Sequence, residues 1–560
     1  MISIREIQGE ELTSPYADQI VSTQGVVSGV LRRGFFLQTP DKVWDQKGSD
    51  AIFVYSPDWS PEEGAVLSVT GQVRDFYKHD TARPVTQLHM DSVELSRSSG
   101  ASLDAIEFSQ DFLPIDNDEL AALLNSLEGM LIRIPAGQTF IAPSNKYGDY
   151  VLALDEPDKD ESEVRTKIGG LIPRAGREQR WFPGFRTSNY NHAHRLNVGA
   201  RLLSPLTGPL NYRADAFQLS VSQPFEVAPS FITHDQSSLA PEAHHLTIMT
   251  LNCFNLDPVI ERESKVSNPR VDIDDDWGDG RFHTLAQAIV LQANSADIVA
   301  LQEIQDNDGA ELTEVTDASL TYQHLIECIK ELGGPDYEWI DVPPQLGMDG
   351  GQPGGNIRNG FLYNPERVAL DEKSVRVLGV ELECFDDSRK PLVAEFIEVD
   401  SGQRLGLINV HLASKRHQES IFAPHNAGID GKLGVRVEQA QTVYQESQAL
   451  LDAGTEFYIT GDFNDTEQSQ PLFALLGGEQ ENNHNLVMDL SENERYDYNH
   501  RGKLQVLMHG IVSKDLAIAG RAAYEIIHGN ELLGIAPGED SDKPSDHAYV
   551  IAKIDLSANG

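Results

Sequence analysis

The sequence predicts a multidomain protein, all-β in its N-terminal part and α/β in its C-terminal part. Three observations carry this expectation. At ~150 residues per domain, a chain of 560 residues divides into three or four units. Before residue 230 the apolar runs are short, alternate with period two and are bounded by turn residues, as in barrels and small sheets. From residue 246 onward, strand-like runs alternate with helical ones, the pattern of a large α/β domain.

Residues 1–100 read as a β-barrel domain. Its strands fall near Gln19–Val21, Gly25–Val27, Gly34–Gln38, Ala51–Val54 and Val66–Val73. The run from Gly64-Ala65-Val66 to Gly71-Gln72-Val73 makes the barrel OB-like, and Ser98–Ser102 forms a joint. Residues 101–230 read as a second β-rich module, with strand pieces at Leu127–Ile134 and Asn197–Arg201 and a long polar loop from Asp155 to Arg180. Residues 231–245, with Gln236-Ser237-Ser238 and Pro241, read as a linker. Residues 246–560 hold the α/β domain. Its strands are expected at Leu246–Asn252, Ile298–Glu303, Leu405–His411, Phe457–Asp462 and Tyr549–Ile554, with helices ending near Asn294, around Tyr322–Leu332 and around Val435–Leu451.

Charge narrows the function. With 44 Lys+Arg against 87 Asp+Glu, the net charge is −43. Such a field repels nucleic acid and anionic membrane over most of the surface. It excludes a general basic coat, but neither a local basic groove nor a phosphate bridged by metal. Salt-adapted proteins carry the same excess. Cys253, Cys328 and Cys384 are too few and too scattered for a disulfide framework or a thiolate zinc site, and allow one bridge at most. No apolar run approaches the ~18 residues of a membrane span. Met1-Ile2-Ser3-Ile4-Arg5 leads straight into mixed polar sequence and is no signal peptide, which as it stands places the chain in the cytoplasm. Oligomeric state leaves no mark in the sequence.

The chemistry lies at strand ends. Ile248–Leu251 ends in Asn252, Asp297–Gln302 in Glu303, Leu407–Val410 in His411, and Tyr458–Gly461 in Asp462-Phe463-Asn464. Ser545-Asp546-His547 precedes the last strand. An Asp after a strand is ordinarily a turn or cap residue. Five polar endings in order are poorly explained that way. Hard oxygen ligands with two histidines suit Mg2+ or Mn2+ and phosphoryl chemistry rather than zinc.

In this order the motifs resemble the endonuclease/exonuclease/phosphatase superfamily, and within it bacterial extracellular nucleases with OB-fold modules ahead of the catalytic domain. Ile7–Tyr16, Arg389-Lys390-Pro391-Leu392 and His411–Lys415 add to the likeness, which covers nearly the whole chain. The resemblance implies a four-layer α/β sandwich for residues 246–560 and Mg2+ as cofactor, with Mn2+ or Ca2+ as alternatives. It implies nucleic acid, DNA first, as partner and a secreted or extracellular location. It also implies site roles: Glu303 as main metal ligand with Asn252 and Asp546 near the ion; Asp462 activating water with Asn464 holding it or the phosphate; His411 and His547 at the scissile phosphate. A divalent ion and two imidazoles would neutralise the charge that phosphodiester hydrolysis concentrates on phosphoryl oxygens.

Two positions depart from the family. Met508, in Leu507-Met508-His509, stands where an aspartate usually orients the catalytic histidine, here His547. Met508 cannot accept that bond usefully; Gln505, Asp497 or a water are the substitutes. Asn356–Gly360 lacks the acid that commonly partners the other histidine, His411.

Arg358, Lys415, Arg416 and Arg436 (with His417 and Lys432 nearby) are the candidates for a phosphate-binding rim, and Phe35 or Tyr77 for base stacking in the barrel. The acidic run Asp272–Gly280 has alternate acids, but Trp277 stands where a calcium loop needs glycine, so it reads as a solvated insert. The resulting expectation is a divalent-metal phosphodiesterase, foremost a DNA-degrading nuclease of low sequence specificity. The alternatives are a phosphatase or phospholipid diesterase of the same superfamily, or a catalytically impaired nucleic-acid-binding or surface protein.

Overall fold

The computed structural model describes residues 1–557 apart from 41–43, 110–111, 115, 155–162, 175, 177–179, 188, 416–417, 426 and 542. Five strands, β1 (Ile20–Leu31), β2 (Gly34–Gln38), β3 (Ala51–Tyr55), β4 (Val66–Phe76) and β5 (Val85–Arg97), close into a barrel in the order β1-β2-β3-β5-β4. The ring closes where β1 pairs antiparallel with β4, from Ile20–Gln72 to Val26–Val66. Alternation sends Leu67, Val69 and Val73 inward beside Phe35, Ile52 and Val54. Gly71 sits where the β4–β5 register slips, and any side chain there would strike the His89 carbonyl. The helix Ile4–Gln8 starts on a Ser3/Glu6 capping box and adds Ile4 and Ile7 to this core. Phe35 is fully buried and cannot stack on bases, whereas Tyr77 is exposed.

Residues 106–228 build a nine-stranded sheet over an aromatic core that includes Phe140, Tyr150, Phe185 and Phe217. The stretch expected as a long loop also contains two strands, Glu163–Arg165 and Leu171–Pro173. They pair with each other and then, at Leu171–Lys503, with the hairpin Tyr498–His500/Lys503–Gln505 far along the chain. This four-stranded sheet joins the second module to the α/β part. Phe422 strengthens the joint by packing its ring against Trp181, Tyr212 and Phe217. On the other side, the buried Arg83 pairs with Glu128 at 3.1 Å and lies over the Tyr212 and Phe217 rings. The segment expected as a linker is tied down: Asp235 N–H donates to His528, Ser237 N–H to Gln292, and the Ser237 hydroxyl to Glu525.

The remaining residues form two facing six-stranded sheets. One runs Glu338–Asp341, Arg358–Tyr363, Ile298–Ile304, His245–Leu256, Tyr549–Asp555, Ala522–Ile527; the other runs Val368–Val377, Leu392–Glu398, Arg404–His411, Glu456–Asp462, Met508–Ser513, Asn483–Asn485. Each central strand is apolar on both faces because both are covered. Ile248, Ala300, Leu407 and Val550 meet between the sheets. Met249, Val299 and Leu301 face the helices Arg281–Gln287 and Ser319–Glu331. Ile408, Val410 and Ile459 face the helices Leu433–Asp452 and Gln470–Leu475. Helix, sheet, sheet, helix: these are the four layers. All three cysteines are buried and free. Among the described residues no helix is long and apolar enough to cross a membrane.

Candidate active site

The strand ends that carry the polar motifs converge because the two sheets are pinned together just beneath them. Thr250 and Thr460 share a 2.6 Å hydrogen bond across the interface. The Asn409 amide donates to the Leu301 and Gly360 carbonyls and accepts from Gln302 at 2.7 Å. Asn409 and Gln302, both part of the sequence motifs, are thus fully buried stitches, and their neighbours His411 and Glu303 point into the site. Glu303 lies where the register of its strand slips against both flanking strands, with φ +59°. A non-glycine residue in that region stores strain, a trait that concentrates at functional sites.

Asn252, Glu303, His411, Asp462, Asp546 and His547 come together. The Asn252 amide donates to Glu303 at 3.2 Å. His411 Nε2 lies 3.8 Å from Glu303 and 3.5 Å from Asp462, and His547 Nε2 lies 3.7 Å from Asp462 and 4.0 Å from Asp546. Asn464 donates its backbone N–H to Asp462 and its amide to the Leu412 carbonyl, which fixes the loop after the strand. Burial, then the nearby charge of Asp546, pushes Glu303 up to about 7. Burial likewise raises Asp462, against the pull of His547. His547 shows the opposite balance. Burial opposes its charge, yet Asp546, Asp497 and Asp462 hold it up at about 10, so it is an imidazolium at neutral pH.

The orienting acceptor absent at Met508 comes from the residue just ahead of another strand, Tyr498–His500. Asp497 Oδ1 accepts from His547 Nδ1 at 2.9 Å, and its Oδ2 takes the backbone N–H groups of Leu507 and Met508 at 2.8 and 2.9 Å. Met508 therefore serves this pair through its backbone, while its side chain lies in the inter-sheet core. Tyr498, next to Asp497, stacks on the His547 ring at 4.8 Å. Ser545 and Asn530 fix the His547 backbone from the other side.

The expected basic rim is largely absent. Arg358 is buried, pairs with Asp341 at 3.2 Å and donates to the Thr316 and Asn356 carbonyls. Arg436 is fully buried between Asp430 and Asp465. Both guanidiniums brace loops and reach no substrate. Lys415 remains part-exposed, paired with Asp465 at 2.6 Å, and Arg416 lies outside the described residues. A cation that the expected rim leaves out is Arg389. It is buried, donates to the Leu412 carbonyl, and its charge acts on both Glu303 and Asp462. The sequence does carry a signal for it: an arginine immediately ahead of a buried strand, within Arg389-Lys390-Pro391-Leu392.

The acidic run near residue 275 is only partly a solvated insert: Asp274 and Asp279 are exposed as expected. Asp272 and Asp276 are buried, and Asp257, Glu261 and Asp274 bring one oxygen each within 4.8 Å of one another. Arg281 pairs with Asp276 at 2.7 Å and with Asp274 at 3.4 Å. Burial and then its acidic neighbours push Asp257 up to about 9.

Two facing sheets with this polar cluster at one edge define an enzyme that breaks phosphate ester bonds. Residues 249–547 match the Endonuclease/Exonuclease/phosphatase family, and the chain belongs to it. Residues 118–230 match a domain of unknown function, DUF8508. Similar solved structures include a humanized D. rerio TDP2 carrying 14 mutations (18% identity, 56% of this chain and 99% of that one, TM-score 0.36). Another is the endonuclease/exonuclease/phosphatase from Bacteroides vulgatus (14% identity, 56% and 99%, TM-score 0.35). A third is the human Nocturnin catalytic domain with bound sulfate (14% identity, 57% and 96%, TM-score 0.37). No curated protein matches the chain.

Proposed function

We propose that the protein is a divalent-metal-dependent phosphodiesterase that degrades DNA with little sequence preference. The observation that carries this reading is the meeting of Glu303, Asp462 and Asp546 with two imidazoles at 3.5–4.0 Å, one imidazole being anchored by Asp497. The donor set fits a hard cation: Glu303 and Asp462 are buried and pushed up by that burial, and Asn252 adds an amide beside Glu303. Mg2+ held by Glu303, Asn252 and Asp546 would neutralise charge developing on the phosphoryl oxygens. The protein supplies the rest. Asp462, with Asn464 beside it, positions the attacking water and takes its proton. His547, charged and oriented through Nδ1 by Asp497, presents Nε2–H to the phosphate as donor and acid. His411 contacts the same group from the neighbouring strand, and Arg389 supports the negative charge from behind.

The closed barrel of residues 1–100, with its 1-2-3-5-4 strand order, is read as OB-type and as an accessory to substrate binding. Residues 101–230 form a second β-rich module, 231–245 a tethered linker and 246–560 the catalytic domain. Hydrolysis of plasmid, single-stranded DNA, RNA and bis(p-nitrophenyl) phosphate, with and without Mg2+, tests the reading. Glu303→Gln should lower Mg2+-dependent turnover roughly 10³-fold or more, the scale of several kcal/mol of lost charge stabilisation. Unimpaired hydrolysis by that variant would remove Glu303 from the mechanism.

A further inference from the structure

The second module carries exposed basic and aromatic side chains on the face that the hairpin tip covers beside the active site. Strand register places Asn211, Arg213, Gln218, Ser220, Arg186 and Val151 on one face of the strands Leu206–Arg213, Ala216–Val221, Gly184–Thr187 and Asp149–Ala153. The opposite face holds Tyr150, Phe185, Phe217 and Leu219 in the aromatic core. At the edge of the polar face, Tyr147 and Tyr190 are 54% and 51% exposed, and Arg186 lies over the Tyr147 ring.

This face runs up to the reaction centre. The hairpin whose root bears Asp497 and Tyr498 turns at Arg501-Gly502. A side chain at Gly502 would press on Ile141 and Val151, so the tip rests on the same sheet face. Arg501 donates to the Ala214 carbonyl, next to Arg213. His500 is exposed at the end of its strand, within electrostatic reach of Lys503, Arg501 and Lys415. Three cations therefore lie within electrostatic reach of the hairpin tip, Lys415 among them also paired with Asp465.

Charge balance makes the arrangement informative. In a chain of net −43, the nearby acids are already engaged: Asp149 with Arg186, Asp540 with Lys146, and Asp215 with Lys78 and His79. Arg213 and Arg501 form no ion pair among the described residues, although the charge of Asp149 reaches Arg213. Arg213 also sits within repulsive reach of Arg186. Like charges held together with few counter-ions are a cost that a bound phosphate would offset.

We propose that this face is a track for single-stranded nucleic acid, in which Arg213, Arg501 and Lys415 take backbone phosphates and Tyr147 and Tyr190 stack bases on the strand's way to His547. Stacking on half-exposed tyrosines requires unpaired bases, which favours a single strand over a duplex. The inference deepens the phosphodiesterase reading, since it assumes a polynucleotide substrate, but binding tests it without turnover.

Fluorescence anisotropy of a labelled oligothymidylate longer than about 16 nucleotides, on the full chain in EDTA, is the measurement. Arg213→Ala and Tyr147→Ala should each weaken binding roughly tenfold, while Arg213→Lys and Tyr147→Phe restore most of it. Arg213→Ala should also flatten the dependence of log affinity on log salt by about 0.7. Wild-type affinity in both alanine variants, or duplex DNA or heparin binding as tightly as the single strand, would overturn the track. Hydrolysis of bis(p-nitrophenyl) phosphate by the wild type, a substrate too short to reach the track, reports separately on the active site.

Discussion

Two groups of clustered carboxylates, buried to different degrees, lie near the same end of the first sheet, and they differ in what faces them. Glu303, Asp462 and Asp546 face His411 and His547, groups that can change charge. In the other group, Asp274 and Asp276 pair with Arg281, whose charge is permanent, and Asp257 and Glu261 lie beside them. Both groups store electrostatic repulsion. Only the first couples it to proton carriers, one of them held in register by a third carboxylate, so clustered acid alone does not make a catalytic centre.

The comparison breaks first at Asp497. Asp497→Asn should leave the fold intact but cost kcat up to ~10⁴-fold, as an amide in place of the orienting carboxylate favours the wrong tautomer in a comparable hydrolase site. KM should move far less, and a pH–rate profile unchanged from wild type would mean that His547 needs no such anchor. Met508→Asp is expected to unfold rather than assist. It places a carboxylate in the inter-sheet core with its orienting task already taken, at a cost of more than about 4 kcal/mol in denaturant melts.

His528 sharpens the comparison from the structural side. It is buried between Glu494 and Glu531 and stacked on Tyr496 at 3.9 Å, with Lys167 of the second module on Glu494. Burial opposes its charge, but the two glutamates raise it to about 9. A raised histidine stabilises fully below its unfolded pKa near 6.5, and that stability fades as pH climbs through 9. His528→Gln should therefore lose up to roughly 3 kcal/mol at pH 6, with the deficit closing above pH 9. An equal deficit at both ends of a pH-resolved thermal melt would deny the charge. The smallest effect belongs to Asp257→Asn. An acid raised to about 9 erodes stability as pH rises from about 4, so in EDTA at pH 7 the variant should be the more stable protein. The gain should be roughly 1–2 kcal/mol, since a tenfold change in proton affinity is worth about 1.4 kcal/mol and the amide still has to be accommodated among its neighbours. A loss of stability there would show that Asp257 is held by its partners rather than strained by them.

The strands of the candidate site were legible because each is a short apolar run ending in a polar residue, and a two-sided core preserves that signature. Asp497 could be named only as one alternative among three, since nothing local says that a hairpin ten residues before Met508 folds back onto the next strand. Arg358 and Arg436 mislead for a simpler reason: sequence gives their charge but not their burial. The acidic run misleads in part for the same reason: Asp274 and Asp279 meet solvent as expected, whereas Asp272 and Asp276 are turned inward. The attachment of the second module was invisible because Leu171 meets Lys503 across most of the chain, and long-range pairing leaves no periodicity to read.

Phe422 has a consequence for how the molecule can be taken apart. Its ring belongs to the core of the second module while its backbone lies in the loop that follows His411, and the shared sheet at Leu171–Lys503 likewise ties the two parts together. Expressing residues 246–560 alone would strand an aromatic anchor in water and leave an open strand edge beside the histidine's support. The chain is divisible as architecture but not as a site: a fragment trimmed to residues 246–560 would keep every residue of the candidate site and lack part of the scaffold that keeps them in register.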